Sequence, residues 1–293
     1  MSRSLRLLVP TVVGVLLAAC AAGPPPAPAA RPAPAPATPS SAPPAASPPG
    51  TAGRPRPPPA SAWRVGARPL PLRRDGFGQV RPTPPELRRR TLPTVDRLPP
   101  PRGGRFRSAV RPVTPAIRRR MGATWSPACP VRLDELRYLT VSFRGFDGRA
   151  HTGELVVHRR VAGAVVSVFA RLYRARFPLE EMRLVTTADL RAHPTGDGNN
   201  TAAYVCRAAR GQARWSAHAY GLAVDVNPFQ NPYRRGDLVL PELAGDYLDR
   251  GRVRPGMVRA GDAVTRAFAA IGWTWGGSWR SPTDLMHFSA TGD

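Results

Sequence analysis

Residues 216–225 read SAHAYGLAVD, and residues 284–288, near the end of the chain, read DLMHF. In the first stretch, His218 and Asp225 stand on either side of a glycine that marks a turn before a β-strand. Such a turn can bring an imidazole and a carboxylate to one point, and His287 in the second stretch supplies another imidazole. Two histidines and one carboxylate are a ligand set of catalytic zinc, which keeps a fourth tetrahedral position open. The residues therefore predict a Zn²⁺ site assembled from distant parts of the chain.

Asp284 precedes His287 by three residues, a position from which its carboxylate could stand beside the metal without binding it. There it could accept a proton from water at the open position. A His-x6-Asp spacing alone is weak evidence, because a histidine with an ordinary structural role explains it equally well. The assignment therefore depends on the wider pattern.

That wider pattern, Ser-x-His-x-x-Gly-x-Ala-x-Asp followed late by Asp-x-x-His-Phe, resembles the VanY-type zinc D-alanyl-D-alanine carboxypeptidases and the related L-alanyl-D-glutamate peptidases. The resemblance covers residues 117–293. It extends to further motifs in this region: Cys129-Pro130-Val131, Gly145-Phe146-Asp147-Gly148, His151-x-Gly153-Glu154-Leu155-Val156-Val157, Asn199-Asn200-Thr201, Cys206-Arg207, Asn227-Pro228-x-x-Asn231-Pro232-Tyr233 and Gly272-Trp273-x-Trp275-Gly276-Gly277-x-Trp279.

The resemblance implies an α+β fold with a small mixed or antiparallel sheet and flanking helices, like that of the hedgehog and D-Ala-D-Ala peptidase group. It also implies that His218, Asp225 and His287 bind Zn²⁺ and that Asp284 is the general base. Independently of the resemblance, short strands and two main helices in residues 121–293 favour α+β. We predict strands at residues 153–158, 182–185, 204–206, 221–226 and 285–289, and helices at 161–173 and 262–271.

Family members use an arginine upstream of the first histidine to polarise the scissile carbonyl and stabilise the oxyanion. Arg207 is our candidate, since it follows a predicted strand and precedes His218 by a short segment. Arg191 and Arg214 remain alternatives.

The resemblance implies hydrolysis of peptidoglycan stem peptides, either as a D-alanyl-D-alanine carboxypeptidase or as an L-alanyl-D-glutamate endopeptidase. The alternative is a non-catalytic cell-wall-binding lipoprotein that keeps the fold. Asp284 argues against this alternative, because a binding site has no need of a base.

Composition divides the chain into a leader and a folded domain. The chain has 43 basic residues, all of them Arg; 21 lie in residues 1–120 against three acidic residues, and 22 lie in residues 121–293 against 16. Pro-rich sequence with almost no branched aliphatic residue cannot bury enough apolar surface to fold. We therefore predict a signal peptide at 1–19, a Pro/Ala-rich disordered tether at 20–60, an Arg/Pro-rich disordered arm at 61–116 and a zinc peptidase domain at 117–293.

The first twenty residues indicate export. Two arginines precede an apolar run that ends at Ala18-Ala19-Cys20 and is too short to span a bilayer. This resembles a bacterial lipoprotein cleavage box, in which Cys20 becomes lipid-modified. We expect an exported protein, lipid-anchored to the cell membrane and facing the cell wall or periplasm.

Export also bears on the other two cysteines. If Cys20 carries lipid, Cys129 and Cys206 remain as an even pair in an oxidising compartment, and we expect a disulfide between them. Two separate buried thiols are the alternative.

The Arg-rich arm suggests anionic partners, namely wall polymers or lipid head groups. Export argues against nucleic acid. The complete absence of Lys also fits a compositional bias towards Arg, in which case the arm is a solvated linker. We expect a monomer whose other partner is the stem peptide.

Overall fold

The computed structural model describes residues 63–209 and 212–292, which belong to one compact unit spanning 57–293. The strands are β1 (Ser108–Pro112), β2 (Leu136–Arg144), β3 (Ala150–His158), β4 (Ala223–Asp225), β5 (Tyr233–Arg235), β6 (Leu238–Leu240), β7 (Thr274–Trp275), β8 (Thr283–Asp284) and β9 (His287–Ser289). The helices are α1 (Pro115–Met121), α2 (Ala162–Arg174), α3 (Thr187–Arg191) and α4 (Ala263–Ala269). The predicted signal peptide, the tether and Cys20 lie outside the described residues.

These strands form three small antiparallel sheets, ordered β1-β2-β3, β4-β9-β7 and β6-β5-β8. β2 and β3 are the longest and are joined by a turn that contains Asp147 and Gly148. The fold is therefore α+β with small antiparallel sheets and few helices, as the sequence predicted.

Helix α2 provides the main packing surface for the first sheet. Val165, Val168, Phe169 and Leu172 are all buried, and their spacing places them on one helical face. They join one hydrophobic core with residues of β2, β3, β4 and β9. Burial of this apolar stripe, rather than intrinsic helix propensity, stabilises the helix.

Helix α4 packs into the same core through Val264, Ala267 and Phe268. The Asp262 side chain accepts hydrogen bonds from the N–H groups of Val264 and Thr265, which begins the helix. Phe268 stacks on Phe288 of β9 with ring centroids 4.0 Å apart. This contact joins α4 to the sheet that carries one of the predicted metal ligands.

Two of the predicted strands, residues 182–185 and 204–206, are not strands. An asparagine side chain occupies the place of a ladder partner: Arg183 N–H donates to Asn200 Oδ1 at 2.9 Å, and Asn200 Nδ2 donates to the Arg183 carbonyl at 3.0 Å. In the other segment, Cys206 N–H donates to the Thr124 carbonyl at 3.0 Å. Both segments thus satisfy backbone groups without a regular ladder, so apolar periodicity alone predicted the wrong structure here.

The predicted disordered arm over 61–116 is corrected for its described residues, 63–116. Leu70, Leu87 and Leu92 are buried in a second hydrophobic cluster with Phe229 and Tyr247. Strand β1 adds an edge to the first sheet. Packed structure therefore begins well before the predicted boundary at residue 117.

Arg90 explains how so basic a segment can be ordered. Its guanidinium is buried, forms a bidentate ion pair with the Glu180 carboxylate (Nε to Oε2, 2.7 Å) and donates from Nη1 to the Asp197 carbonyl at 2.7 Å. The average composition of this segment does not reveal that a few of its leucines and one arginine pack against the rest of the domain.

Among the described residues, no helix has the length and apolar character needed to cross a membrane.

Candidate metal centre and adjoining pocket

A short 3-10 helix, Ala217–Tyr220, presents the first predicted ligand. The Ser216 hydroxyl caps it by accepting a hydrogen bond from His218 N–H at 3.3 Å. Gly221 ends it at φ +66°, and a Cβ there would lie 2.5 Å from the backbone nitrogen of His158. Only glycine combines this left-handed backbone with so close an approach. The sharp turn leads directly into β4.

The His218 ring is held in one orientation by the backbone. Its Nδ1 donates to the Ala203 carbonyl, because a carbonyl oxygen can only accept. The other nitrogen, Nε2, consequently carries the lone pair and faces Asp225 Oδ2 at 3.2 Å. A hydrogen bond of this kind to the far ring nitrogen is a common feature of metal-binding histidines.

The second sheet brings the other two predicted ligands together. Asp225 of β4 is directly opposite His287 of β9 in the antiparallel register, and Asp225 Oδ1 lies 3.1 Å from His287 Nδ1. His287 Nδ1 lies 3.2 Å from His218 Nε2. One ligand atom from each of the three residues falls within 4.8 Å of the others.

The side chains of His218, Asp225 and His287 shift one another's pKa values. Burial lowers the pKa of His218. Burial would raise the pKa of Asp225, but the two histidines outweigh this and hold the pKa well below its usual range. Burial would also lower the pKa of His287, but its hydrogen bond to Asp225 more than compensates and raises it. The aspartate is thus held as a carboxylate, the form that binds metal.

This donor set fits zinc. Two imidazole nitrogens and one carboxylate converge, no thiolate is required, and His218 carries its proton on the nitrogen that faces away from the cluster. His218, Asp225 and His287 are therefore the residues that would hold the ion. The structure brings together all three predicted ligands.

Asp284, the predicted base, lines a pocket together with His218 and His287. It lies on β8 opposite Tyr233 of β5, and its negative charge contributes to raising the pKa of His287. Gly276 packs closely against the backbone of Asp284, since a Cβ at position 276 would lie 2.7 Å from the Asp284 carbonyl oxygen.

The lining of the pocket also distinguishes among the three candidate arginines. Arg207 and Arg214 both line it, whereas Arg191 lies at the end of α3, outside the lining residues. The positive charge of Arg207 contributes to lowering the pKa of both His218 and His287. The geometry therefore leaves two candidates for the arginine that polarises the carbonyl, Arg207 and Arg214.

Gln212 and Tyr233 also line the pocket, although the sequence analysis assigned neither of them an individual role, and Trp279 lines it as well. The Trp279 ring centroid lies 5.5 Å from that of His287, which makes it an aromatic wall beside the ligands. The signal was present, because Tyr233 and Trp279 belong to quoted motifs. His193 is not among the residues that line this pocket; its Nε2 bonds to the Leu70 carbonyl at 2.8 Å.

Cys129 and Cys206 form a disulfide, with Cα atoms 5.9 Å apart and a sequence separation of 77. The alternative of two separate thiols is excluded. Cys206 immediately precedes the pocket-lining Arg207, so the bond ties this segment to the loop between α1 and β2.

Part of the chain is similar to a known protein family. Residues 210–290 match a family model described as D-alanyl-D-alanine carboxypeptidase. No curated protein and no solved structure matches the chain. The matched region contains His218, Asp225, Asp284 and His287, so the match and the geometry converge on the same residues. The match supports a relationship to this peptidase family over the part of the chain that carries the candidate metal centre.

Proposed function

We propose that this chain is a zinc-dependent peptidase that hydrolyses peptidoglycan stem peptides at the cell envelope. The observation that carries the proposal is the convergence of His218, Asp225 and His287 in a pocket that also contains Asp284. When bound, a zinc ion would supply Lewis-acid chemistry at this point. The family match supports peptidase activity of the D-alanyl-D-alanine carboxypeptidase type.

Asp284 is the proposed general base and acid. Its carboxylate lies in the same pocket as the two ligand histidines and is held on a strand rather than on a loop. In the proposed reaction it takes a proton from a water molecule as that water attacks the scissile carbonyl, and it returns the proton to the leaving amine.

Arg207 is the proposed electrophilic partner of the carbonyl oxygen. A guanidinium beside the reacting centre stabilises negative charge as it develops on that oxygen. Arg214, on the same wall, would instead bind the carboxylate of the stem peptide, since a guanidinium matches two carboxylate oxygens. The acidic substrate also suits the positive charge of the chain.

The proposed location is the outer face of a membrane, with Cys20 as the lipid anchor. The disulfide supports export, because such bonds persist in oxidising compartments. Detergent should release the protein from membranes, whereas release by high salt alone would contradict an anchor.

Cleavage of defined muropeptides tests the function. The full chain is incubated with stem tetra- and pentapeptides, with and without chelator, and products are identified by mass spectrometry. We expect cleavage that chelator abolishes and added zinc restores. Binding of muropeptides without any cleavage would contradict the proposal and favour a wall-binding lipoprotein.

A further inference from the structure

A second cavity, which shares no lining residue with the metal pocket, is lined mainly by arginines. It has a volume of about 210 Å³ and is bounded by Arg89, Arg252, Val253, Arg254 and Pro255. Three of these five residues carry a guanidinium and none carries a carboxylate. Like charges converge at one place only at an electrostatic cost, which a bound anion would remove.

Arg254 is built into the protein rather than extended from its surface. The residue is only 7 % exposed, its Nη1 donates to the Asp246 carbonyl at 3.0 Å, and its guanidinium carbon lies 4.6 Å from the Tyr247 ring centroid. Its buried Nε makes no hydrogen bond within residues 63–209 and 212–292. A backbone carbonyl and an aromatic ring do not neutralise a buried charge.

A neighbouring guanidinium adds to the local positive potential. Arg250 bonds to the carbonyls of Gln230, Tyr247 and Val258 and to the amide oxygen of Asn231, none of which is charged. Burial, and then repulsion from Arg254, lower the pKa of Arg250 to about 10.

Three acidic residues near these arginines have other partners; one of them, Asp262, accepts backbone hydrogen bonds at the start of α4. Asp246 is 3.5 Å from Arg88, and Asp249 accepts hydrogen bonds from the backbone N–H groups of Gly251 and Arg252. The second contact fixes the Arg252 backbone without pairing its side chain.

Arg89 and Arg252 supply the exposed side of the cavity. Neither side chain forms a hydrogen bond or ion pair with the described parts of the chain, whereas the neighbours of Arg89 are both engaged, Arg88 with Asp246 and Arg90 with Glu180. In the Arg88-Arg89-Arg90 cluster, Arg89 is thus the guanidinium left to face an external anion. Because the backbone on both sides is anchored, binding an anion would have to order the two side chains but not the main chain.

We propose that Arg89, Arg252 and Arg254 form a binding site for a phosphate group, separate from the metal centre. Guanidinium groups present planar pairs of donors that match phosphate oxygens, and several of them around one cavity suit a tetrahedral anion better than a single planar carboxylate. The group could belong to free phosphate, to a phosphodiester polymer or to a phospholipid head group.

Phosphate titration of the full chain tests the site. The probes are inorganic phosphate, a soluble glycerol phosphodiester oligomer and phosphatidylglycerol vesicles, all at one ionic strength. The test variant is Arg89→Gln with Arg252→Gln. The control is Arg119→Gln with Arg174→Gln, which removes the same charge from two exposed arginines. The side chains of these two arginines form no hydrogen bond or ion pair with a described residue.

We expect inorganic phosphate to raise the melting temperature of the wild type, and its Kd to rise at least tenfold in the test variant and less than twofold in the control. The polymer or vesicle probe whose binding falls in parallel identifies the source; a loss confined to inorganic phosphate identifies the free anion. Equal weakening in both variants, or no phosphate binding by the wild type, would overturn the proposal. Muropeptide cleavage by the test variant should be unchanged, which separates this site from the proposed peptidase activity.

Discussion

Asp225 and His287 face each other across the β4–β9 ladder, with Oδ1 of the aspartate 3.1 Å from Nδ1 of the histidine. The strand register therefore determines the separation of two of the three candidate ligands. A slip of one strand by one residue would turn its ligand to the opposite face of the sheet, away from the other ligand. Stacking of Phe268 on Phe288, the neighbour of His287, opposes such a slip by packing β9 against α4.

Replacement of Asp225 by Ala should abolish zinc binding. The change removes the only carboxylate among the three converging ligands and leaves two histidines, which bind zinc weakly. Elemental analysis of the purified protein measures the loss. His193→Ala is the matched control, since that histidine bonds to the Leu70 carbonyl and not to the cluster. Stoichiometric zinc in the Asp225 variant would contradict the ligand assignment.

Replacement of Asp284 by Asn should leave zinc in place and lower muropeptide cleavage by a factor of about 10² to 10⁴, the usual contribution of a positioned general base. The amide keeps the shape of the carboxylate but does not accept the proton. Cleavage rate and zinc content are measured on the same sample. Asp134→Asn, at an exposed carboxylate paired with Arg132, serves as the control. Wild-type rates in the Asp284 variant would contradict the role of this residue.

The residues that the sequence predicted best are those whose chemistry leaves few alternatives. His218, Asp225 and His287 share one ligand chemistry, and Cys129 and Cys206 are the pair that remains of three cysteines once Cys20 is set aside. Helix α2 was also predictable, because its buried residues follow the helical period over several turns.

The order of residues 63–116 was not predictable, because it depends on individual contacts with distant parts of the chain. Leu87 is fully buried and Arg90 pairs with Glu180, yet both stand among arginines and prolines that are exposed. A window average assigns the whole stretch to disorder. Asn200 presents the same difficulty, since its side chain replaces a backbone ladder that residues 182–185 otherwise suggest.

Replacement of Arg90 by Ala should destabilise the fold by about 3–5 kcal/mol, because it leaves the buried Glu180 carboxylate without its counter-charge. Urea unfolding measures the change. Arg88→Ala, at an arginine whose side chain is 55 % exposed, should cost less than about 1 kcal/mol. The double variant Arg90→Met with Glu180→Met should lose less than the sum of its single variants. Equal effects at positions 88 and 90 would show that residues 63–116 do not depend on this ion pair.

Acid should remove the stabilising contribution of Glu154. Burial would raise the pKa of this carboxyl, but Arg120 and Tyr138 donate hydrogen bonds to it and bring the pKa below its usual value. A carboxyl with a lowered folded-state pKa stabilises the protein above its unfolded-state pKa, and this contribution is lost as the pH falls through the folded-state pKa.

The matching experiment compares wild type with Glu154→Gln in urea between pH 7 and pH 3. We expect the wild type to be more stable by about 1–3 kcal/mol at neutral pH, and the difference to shrink below about pH 4.5. Glu86→Gln, at an exposed carboxylate, should follow the wild type throughout. A difference that grows as the pH falls would contradict the assigned sign.

Loss of the Cys129–Cys206 disulfide should lower the free energy of unfolding by up to about 4 kcal/mol, because the bond closes a long loop and so restricts the unfolded chain. Reductant should lower the melting temperature of the wild type and leave that of the Cys129→Ser, Cys206→Ser double variant unchanged. The three metal ligands follow Cys206 in sequence and so lie outside the loop that the disulfide closes. The double variant should therefore still bind zinc at low temperature. Cys206 adjoins Arg207, so an additional rise in KM for muropeptides would show that the bond also positions that arginine. An identical response to reductant in both proteins would mean that the disulfide does not stabilise the fold.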